Sequence, residues 1–404
     1  MKNPLDNKIR IKPIPFLAIF LLVFLVINLL GIINFPFYTN NLKTGQLVWL
    51  VVIGFFGFLL GTLIVRFVGF KFFRSKGAYK PGVLKVIFWI SYLTSLFLVA
   101  ITNVRSGGII LFLSTDRFAG STVVTMFVYI GIVTTLLYFA HLLISNTKIK
   151  LYHVLLIGLQ ALSGLSMGYR GPLVMLVASC FIIYFTIRND HGNKHKNIFS
   201  PRNIILFLGG ILLMSAVASF RVSQEYSVES FFKNIDMNYM EENYLLKPYL
   251  STLSVFRYDQ EVVTILIRKT EYNHLNGELA IANLRTLLPG MQLGARNMIG
   301  GIIDARKFPD GRPWSITPTL QGALFVDSGR FGVFFGFFIL AALIEYLKKL
   351  MLVRRNPFSV VIYVLLAVNS LMLIHSGYFD ALVYILFFIL FAVNFLLTRI
   401  KYTI

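Results

Sequence analysis

The sequence predicts an all-α fold: a polytopic membrane helical bundle of about ten transmembrane helices with a large extracytoplasmic loop domain. Three observations predict it. Hydrophobic residues make up 57% of the 404 positions and charged residues only 14%, with a mean hydropathy of +0.75; soluble domains are about one quarter charged. About ten apolar runs are long enough to cross a bilayer. The basic residues also collect on alternate connections between those runs, as cytoplasmic loops do.

The first run, 13–33, lacks a small-residue cleavage site and reads as an uncleaved span. The others are 47–65, 83–101, 122–144, 151–166, 172–187, 203–219, 331–346, 358–374 and 381–398. Those of 16 or 17 residues are short for a full crossing, so they extend into their flanks or break near the surface. The N-terminal side and the connections after each even-numbered span hold 22 basic residues against three acids, Asp6, Asp190 and Glu345. The opposite side holds 16 basic and 14 acidic residues. The formal charge of +21 is therefore mostly topological, which displaces the nucleic-acid reading that such a charge invites. Both termini are expected on the cytoplasmic side of the membrane.

Three parts follow: residues 1–219 as a seven-span bundle, 220–330 as an outer loop domain, and 331–404 as three closing spans. The loop has 12 basic and 12 acidic residues. Loops this long are usually functional. Within it, 249–269 mixes apolar residues with Arg257, Asp259 and Glu261 and reads as an amphipathic helix on the bilayer surface or over the bundle. One cysteine, Cys180, sits in an apolar run, so no disulfide framework is expected.

Several chemistries are excluded. No phosphate-binding loop, dinucleotide fingerprint, HExxH or Cys/His cluster is present, and the first outer loop, 34–46, contains no acid. Neither a cofactor nor a metal is expected. Few ionisable groups lie within the spans, which disfavours a cation-driven carrier. Three features remain. The turn Ser166-Met167-Gly168-Tyr169-Arg170-Gly171-Pro172 puts an arginine at a helix N-terminus, where a guanidinium and backbone amides suit a phosphate or diphosphate; an interfacial arginine snorkelling to headgroups is the competing reading. Loop arginines, among them Arg257, Arg285, Arg296 and Arg312, have the bidentate geometry for phosphate and sugar, and Tyr226, Tyr239, Tyr244, Tyr258, Tyr272 and Trp314 could stack on sugar rings or belong to an aromatic belt. A general base has four claimants, Asp259, His274, Glu278 and Asp327. His375 is the only other histidine on the outer side.

Together with the stretch Thr317-Pro318-Thr319 … Gln321-Gly322 … Asp327-Ser328-Gly329-Arg330-Phe331-Gly332, which leads into the eighth span, these features resemble the Wzy-type O-antigen and capsule repeat-unit polymerases. The likeness covers most of the chain. It implies a metal-independent membrane glycosyltransferase that moves a growing glycan from undecaprenyl diphosphate onto the next lipid-linked repeat unit. It implies Arg170, Asp259, His274 and Asp327 as catalytic residues, and Tyr169, Arg257, Arg285, Arg296, Arg312 and Trp314 as substrate-binding. A chain-length regulator and a flippase are the implied pathway partners, and nucleic acid is not. An O-antigen ligase-like transferase shares these features, and a lipid-linked oligosaccharide flippase or exporter is the alternative from another class.

Overall fold

The computed structural model describes residues 9–11, 14–68, 80–108, 122–166, 170–189, 234–242, 249–271, 273–286, 293–305, 307, 311–378 and 381–399. The expected seventh span (203–219), Tyr169 and the opening of the long loop lie outside them. Among the described residues the protein is helical, save for one antiparallel pairing of β1 (Ile9–Ile11) with β2 (Ile187–Asn189). The helices are α1 Phe16–Ile32, α2 Thr44–Phe67, α3 Pro81–Arg105, α4 Thr122–Ile144, α5 Leu151–Ser166 and α6 Arg170–Thr186. After them come four short or amphipathic helices of the long loop: α7 Met237–Glu242, α8 Leu250–Thr270, α9 Glu278–Arg285 and α10 Ala295–Ile302. The chain closes with α11 Thr319–Arg354, α12 Pro357–Ser376 and α13 Ala381–Arg399. Helices α2, α3, α4, α11 and α12 are long and apolar enough to cross a membrane, and α1, α5, α6 and α13 are shorter apolar helices.

α12 is the centre of the bundle. Its residues from Pro357 to Ser370 are all buried, against α4, α6 and α11. Asn356 and Ser359 close its first turn as a reciprocal capping box. Asn369 and Ser370 donate back to the Leu365 and Leu366 carbonyls, at 2.7 and 2.6 Å, so their polar groups are satisfied in an apolar setting. α2 lies along α11 with no side chains between the backbones at Gly57 and Gly61, where a Cβ would meet the Phe334 and Phe338 carbonyl oxygens. Small residues four apart allow this approach and the dispersion contacts that hold helices together in lipid.

Charge ties the same pair at one end. Buried Glu345 accepts from Lys348 at 2.8 Å and from Arg66 at 3.3 Å. Lys349 donates to the Val65, Arg66 and Val68 carbonyls, where the negative end of α2 would otherwise be uncapped.

The other end of the bundle carries the long-loop helices. α8 does not lie apart from the bundle. It packs between α1 and α11 and buries Val262, Val263, Leu266 and Ile267. Val263 and Ile267 join the main core, whereas Val262 and Leu266 form a separate apolar cluster with Leu279 and Ala282 of α9, Ala295 and Ile299 of α10, and Val326.

α11 is two helices joined at a break. Ser328 (φ −151°, ψ 23°) and Gly329 (φ 63°, ψ −154°) leave helical geometry, the latter in a region only glycine occupies readily. The Val326 carbonyl is turned to the Leu275 amide at 3.0 Å. The sequence places the start of this span at 331, and the membrane-length half does begin just past the break. The preceding Thr319–Asp327 stretch, expected only as an N-terminal approach, is itself helical.

Candidate functional site

Asp259 on α8 has no exposed surface, yet it touches the one histidine at the loop end of α12. Its Oδ2 lies 2.6 Å from His375 Nδ1, and its Oδ1 accepts from Thr317 Oγ1 at 3.3 Å. The two residues are 116 positions apart. Burial pushes the Asp259 carboxyl up, and the His375 and Thr317 contacts oppose that rise. The His375 side chain is 43% exposed, and among the described residues its Nε2 has no protein partner. A buried carboxylate on Nδ1 fixes the ring and its tautomer, and the outward nitrogen is left to exchange a proton.

Local sequence explains how the two meet. α12 ends at Ser376, and Gly377 takes φ +87°, so the chain can leave the helix at once. That turn packs on Pro318, whose Cγ would lie 2.8 Å from a Cβ at position 377. Thr317-Pro318 and His375-Ser376-Gly377 are thereby pressed together over Asp259. Behind them, Gln260 and Gln321 both donate to Asn28 Oδ1, the former at 3.1 Å, while Asn28 Nδ2 donates to the Phe24 carbonyl at 2.7 Å. This buried amide cluster ties α8 and α11 to α1 through Asn28.

One cationic group adjoins the pair. Arg296 on α10 lies within electrostatic reach of His375. Trp314 and its neighbours run alongside α10: Asn297 Nδ2 donates to the Pro313 carbonyl at 2.7 Å and the Ile316 amide to the Arg296 carbonyl at 3.1 Å. The N-terminus of α6, which begins at Arg170, reaches the same end of α12, since a Cβ on Gly171 would lie 3.8 Å from Met372 Cε. Met372 is about one helical turn below His375. Acid, imidazole, guanidinium and a helix N-terminus thus gather at one end of the bundle.

The family model described as "Putative O-antigen polymerase" matches residues 10–387, nearly the whole chain. The chain belongs to this family. No curated protein and no solved structure matches it. A multi-pass membrane member of an O-antigen polymerase family is what the span pattern and short motifs lead one to expect.

Other residues that the sequence marks in this O-antigen polymerase family member have different surroundings. Asp327, expected as a catalytic acid or base, is a helix cap. Its Oδ1 accepts from the Gly277 and Leu279 amides at 3.1 and 3.0 Å, and its Oδ2 from the Ala280 amide at 3.1 Å and Tyr378 Oη at 2.8 Å. Four donors leave it little capacity for chemistry and hold negative charge at the positive end of α9. Burial and Asp327 keep the Tyr378 phenol protonated far above its ordinary range.

Arg257, expected to bind substrate, is fully buried and works as a clasp. It donates to the Gly31 carbonyl at 3.0 Å, to Asn34 Oδ1 at 2.9 Å and to the Asn40 carbonyl, and stacks 4.6 Å above the Tyr38 ring. It pins the 34–46 connection onto α8. Arg285 is exposed in the last turn of α9, and Arg312 is exposed beyond α10. Glu278 is exposed in the first turn of α9. His274 packs edge-on against Phe325 (centroids 5.4 Å apart) and does not join the Asp259 pair. Among the described residues no group of three His, Cys, Asp or Glu is placed to hold a metal ion.

The capping role has a measurable consequence. Asp327→Asn should lower thermal stability by about 1–3 kcal/mol, because the charged acceptor of three amides is lost. Turnover per folded molecule should remain near that of the wild type. A large fall in turnover at unchanged stability, by thermal unfolding in nanodiscs, would return Asp327 to the chemistry.

Proposed function

We propose that the protein polymerises undecaprenyl-diphosphate-linked oligosaccharide repeat units on the outer face of the bacterial cytoplasmic membrane, for O-antigen or capsular polysaccharide. The contact that carries this reading is the 2.6 Å pairing of buried Asp259 with His375, whose second nitrogen is open. In the step envisaged, a hydroxyl of the incoming unit gives its proton to His375 Nε2 as its oxygen attacks the anomeric carbon of the growing glycan. The bond from that carbon to the diphosphate oxygen breaks, and undecaprenyl diphosphate leaves with the electron pair. Asp259 orients the imidazole and stabilises the imidazolium that forms. Arg296 and Arg170, with the amides at the start of α6, are suited to the charge building on the leaving group. Trp314 and Arg312 are retained as sugar contacts, and Arg285 as a peripheral one. The donor is already activated by its diphosphate, so no nucleotide is consumed, and the proposal includes no metal.

Loss of the gene should leave single repeat units on the final acceptor. Lipid-linked polymer that fails to be attached would instead identify a ligase. The proposed topology has its own test, eased by the burial of the single cysteine, Cys180. Glu278→Cys should react with an impermeant maleimide in intact spheroplasts and Lys148→Cys should not; both positions are exposed. The reverse pattern would invert the bundle and remove the substrate from the site.

A further inference from the structure

A second site lies across the loop helices from the Asp259–His375 pair. A cavity of about 400 Å³ opens at the break in α11, lined by Gln46 and Trp49 of α2, Glu271, His274, Arg330 and Phe331 among others. Arg330 and Glu271 both line it, yet they do not pair, and among the described residues neither has another ionic partner. Opposite charges held apart across a cavity leave room for a ligand that satisfies both: an anion for the guanidinium and hydroxyl donors for the carboxylate.

Two helix starts add to the anion side. Gln46 is in the first turn of α2, which has no side-chain cap, and the membrane-length half of α11 starts at the break beside Arg330. The uncapped start of α2 presents backbone amides and a positive dipole end that favour a phosphate. The cavity is also flanked by bare apolar surface. Trp49 and Phe331 are 64% and 78% exposed, and Phe56 and Phe335 carry that exposed face on along the same two helices. A ligand with an anionic, hydroxyl-bearing head and a long hydrocarbon tail matches all of these features.

We propose that this cavity holds the diphosphate–sugar head of one lipid-linked saccharide, with its isoprenoid tail along the exposed faces of α2 and α11, while the reaction takes place at His375. The assignment rests on the polymerase reading, in which two lipid-linked substrates must be held at once. The spacing fits two sites. Ile267 lines the cavity and Asp259 holds His375, eight residues apart on α8, or about 12 Å along the helix.

The test is photolabelling of the full chain in nanodiscs with a polyprenyl diphosphate glucose whose tail bears a diazirine. Label should map to the segments carrying Trp49 and Phe331. Arg330→Gln should cut labelling roughly 10-fold, the usual scale for losing a charged contact, and Arg330→Lys should cut it less. Glu271→Gln should weaken labelling by this probe and leave labelling by the sugar-free polyprenyl diphosphate unchanged. Each variant is first shown to unfold at the wild-type temperature. His375→Ala should label normally, so binding at the cavity is read separately from turnover; if that variant still polymerises, the catalytic assignment falls and the labelling still decides the cavity. Equal labelling of wild type and Arg330→Gln, or displacement of the probe by phosphatidylglycerol, would overturn the proposal.

Discussion

His375→Ala should lower polymer formation by roughly 100- to 10,000-fold, the range over which a positioned general base contributes, with no loss of folded protein. The ring is 43% exposed and among the described residues its one protein hydrogen bond is to Asp259, so its removal opens little buried space. Asp259→Asn should also impair the reaction, but less, because an amide can still touch Nδ1 while losing the charge that stabilises the imidazolium. The double variant should be no worse than His375→Ala alone, since two groups that act as a unit are not additive. The wild-type rate should fall on the acid side as Nε2 becomes protonated, and His375→Ala should lack that limb. Chain formation by purified protein from a lipid-linked repeat unit, followed from pH 5 to 9, reads all three. A His375→Ala variant with normal rate and an unaltered acid limb would remove the pair from catalysis.

The spans were legible because membrane crossing is a matter of local composition. Residues 44–67, 81–105 and 357–376 are helices where apolar length alone places them. The break in α11 was partly legible, since Ser328-Gly329 sits where a polar stretch turns apolar, but nothing local says that the nine residues before it are helical. The contact between Asp259 and His375 was only half legible. Asp259 stands out as an acid in an apolar stretch, whereas His375 is a single polar residue at the end of an apolar helix. The rule that ionisable groups near membrane depth tend to be functional is the signal that would have marked it, though not its partner. The surroundings of Asp327 and Arg257 were not legible for one reason: the groups that occupy them are mostly backbone amides and carbonyls, which have no sequence signature.

Arg170→Ala should cost about 100- to 1000-fold in polymerisation, the scale for removing one preorganised charge contact to a developing anion. Arg170 is the first residue of α6, whose start meets α12 one turn from His375, so a leaving diphosphate within reach of the base is also within reach of these amides. Leaving-group charge grows as the glycosidic bond breaks, so the contact strengthens towards the transition state and the loss should fall on kcat more than on KM. Arg170→Lys keeps the charge but not the bidentate fork, and should fall between Ala and wild type. An arginine that merely anchored the helix end to headgroups would behave otherwise: lysine would replace it freely, and alanine would reduce protein abundance and leave the rate per molecule intact. Quantitative immunoblotting of membranes, alongside the chain-length profile from the same cells, separates the two, and normal polymer from the Ala variant at normal abundance would take Arg170 out of the site.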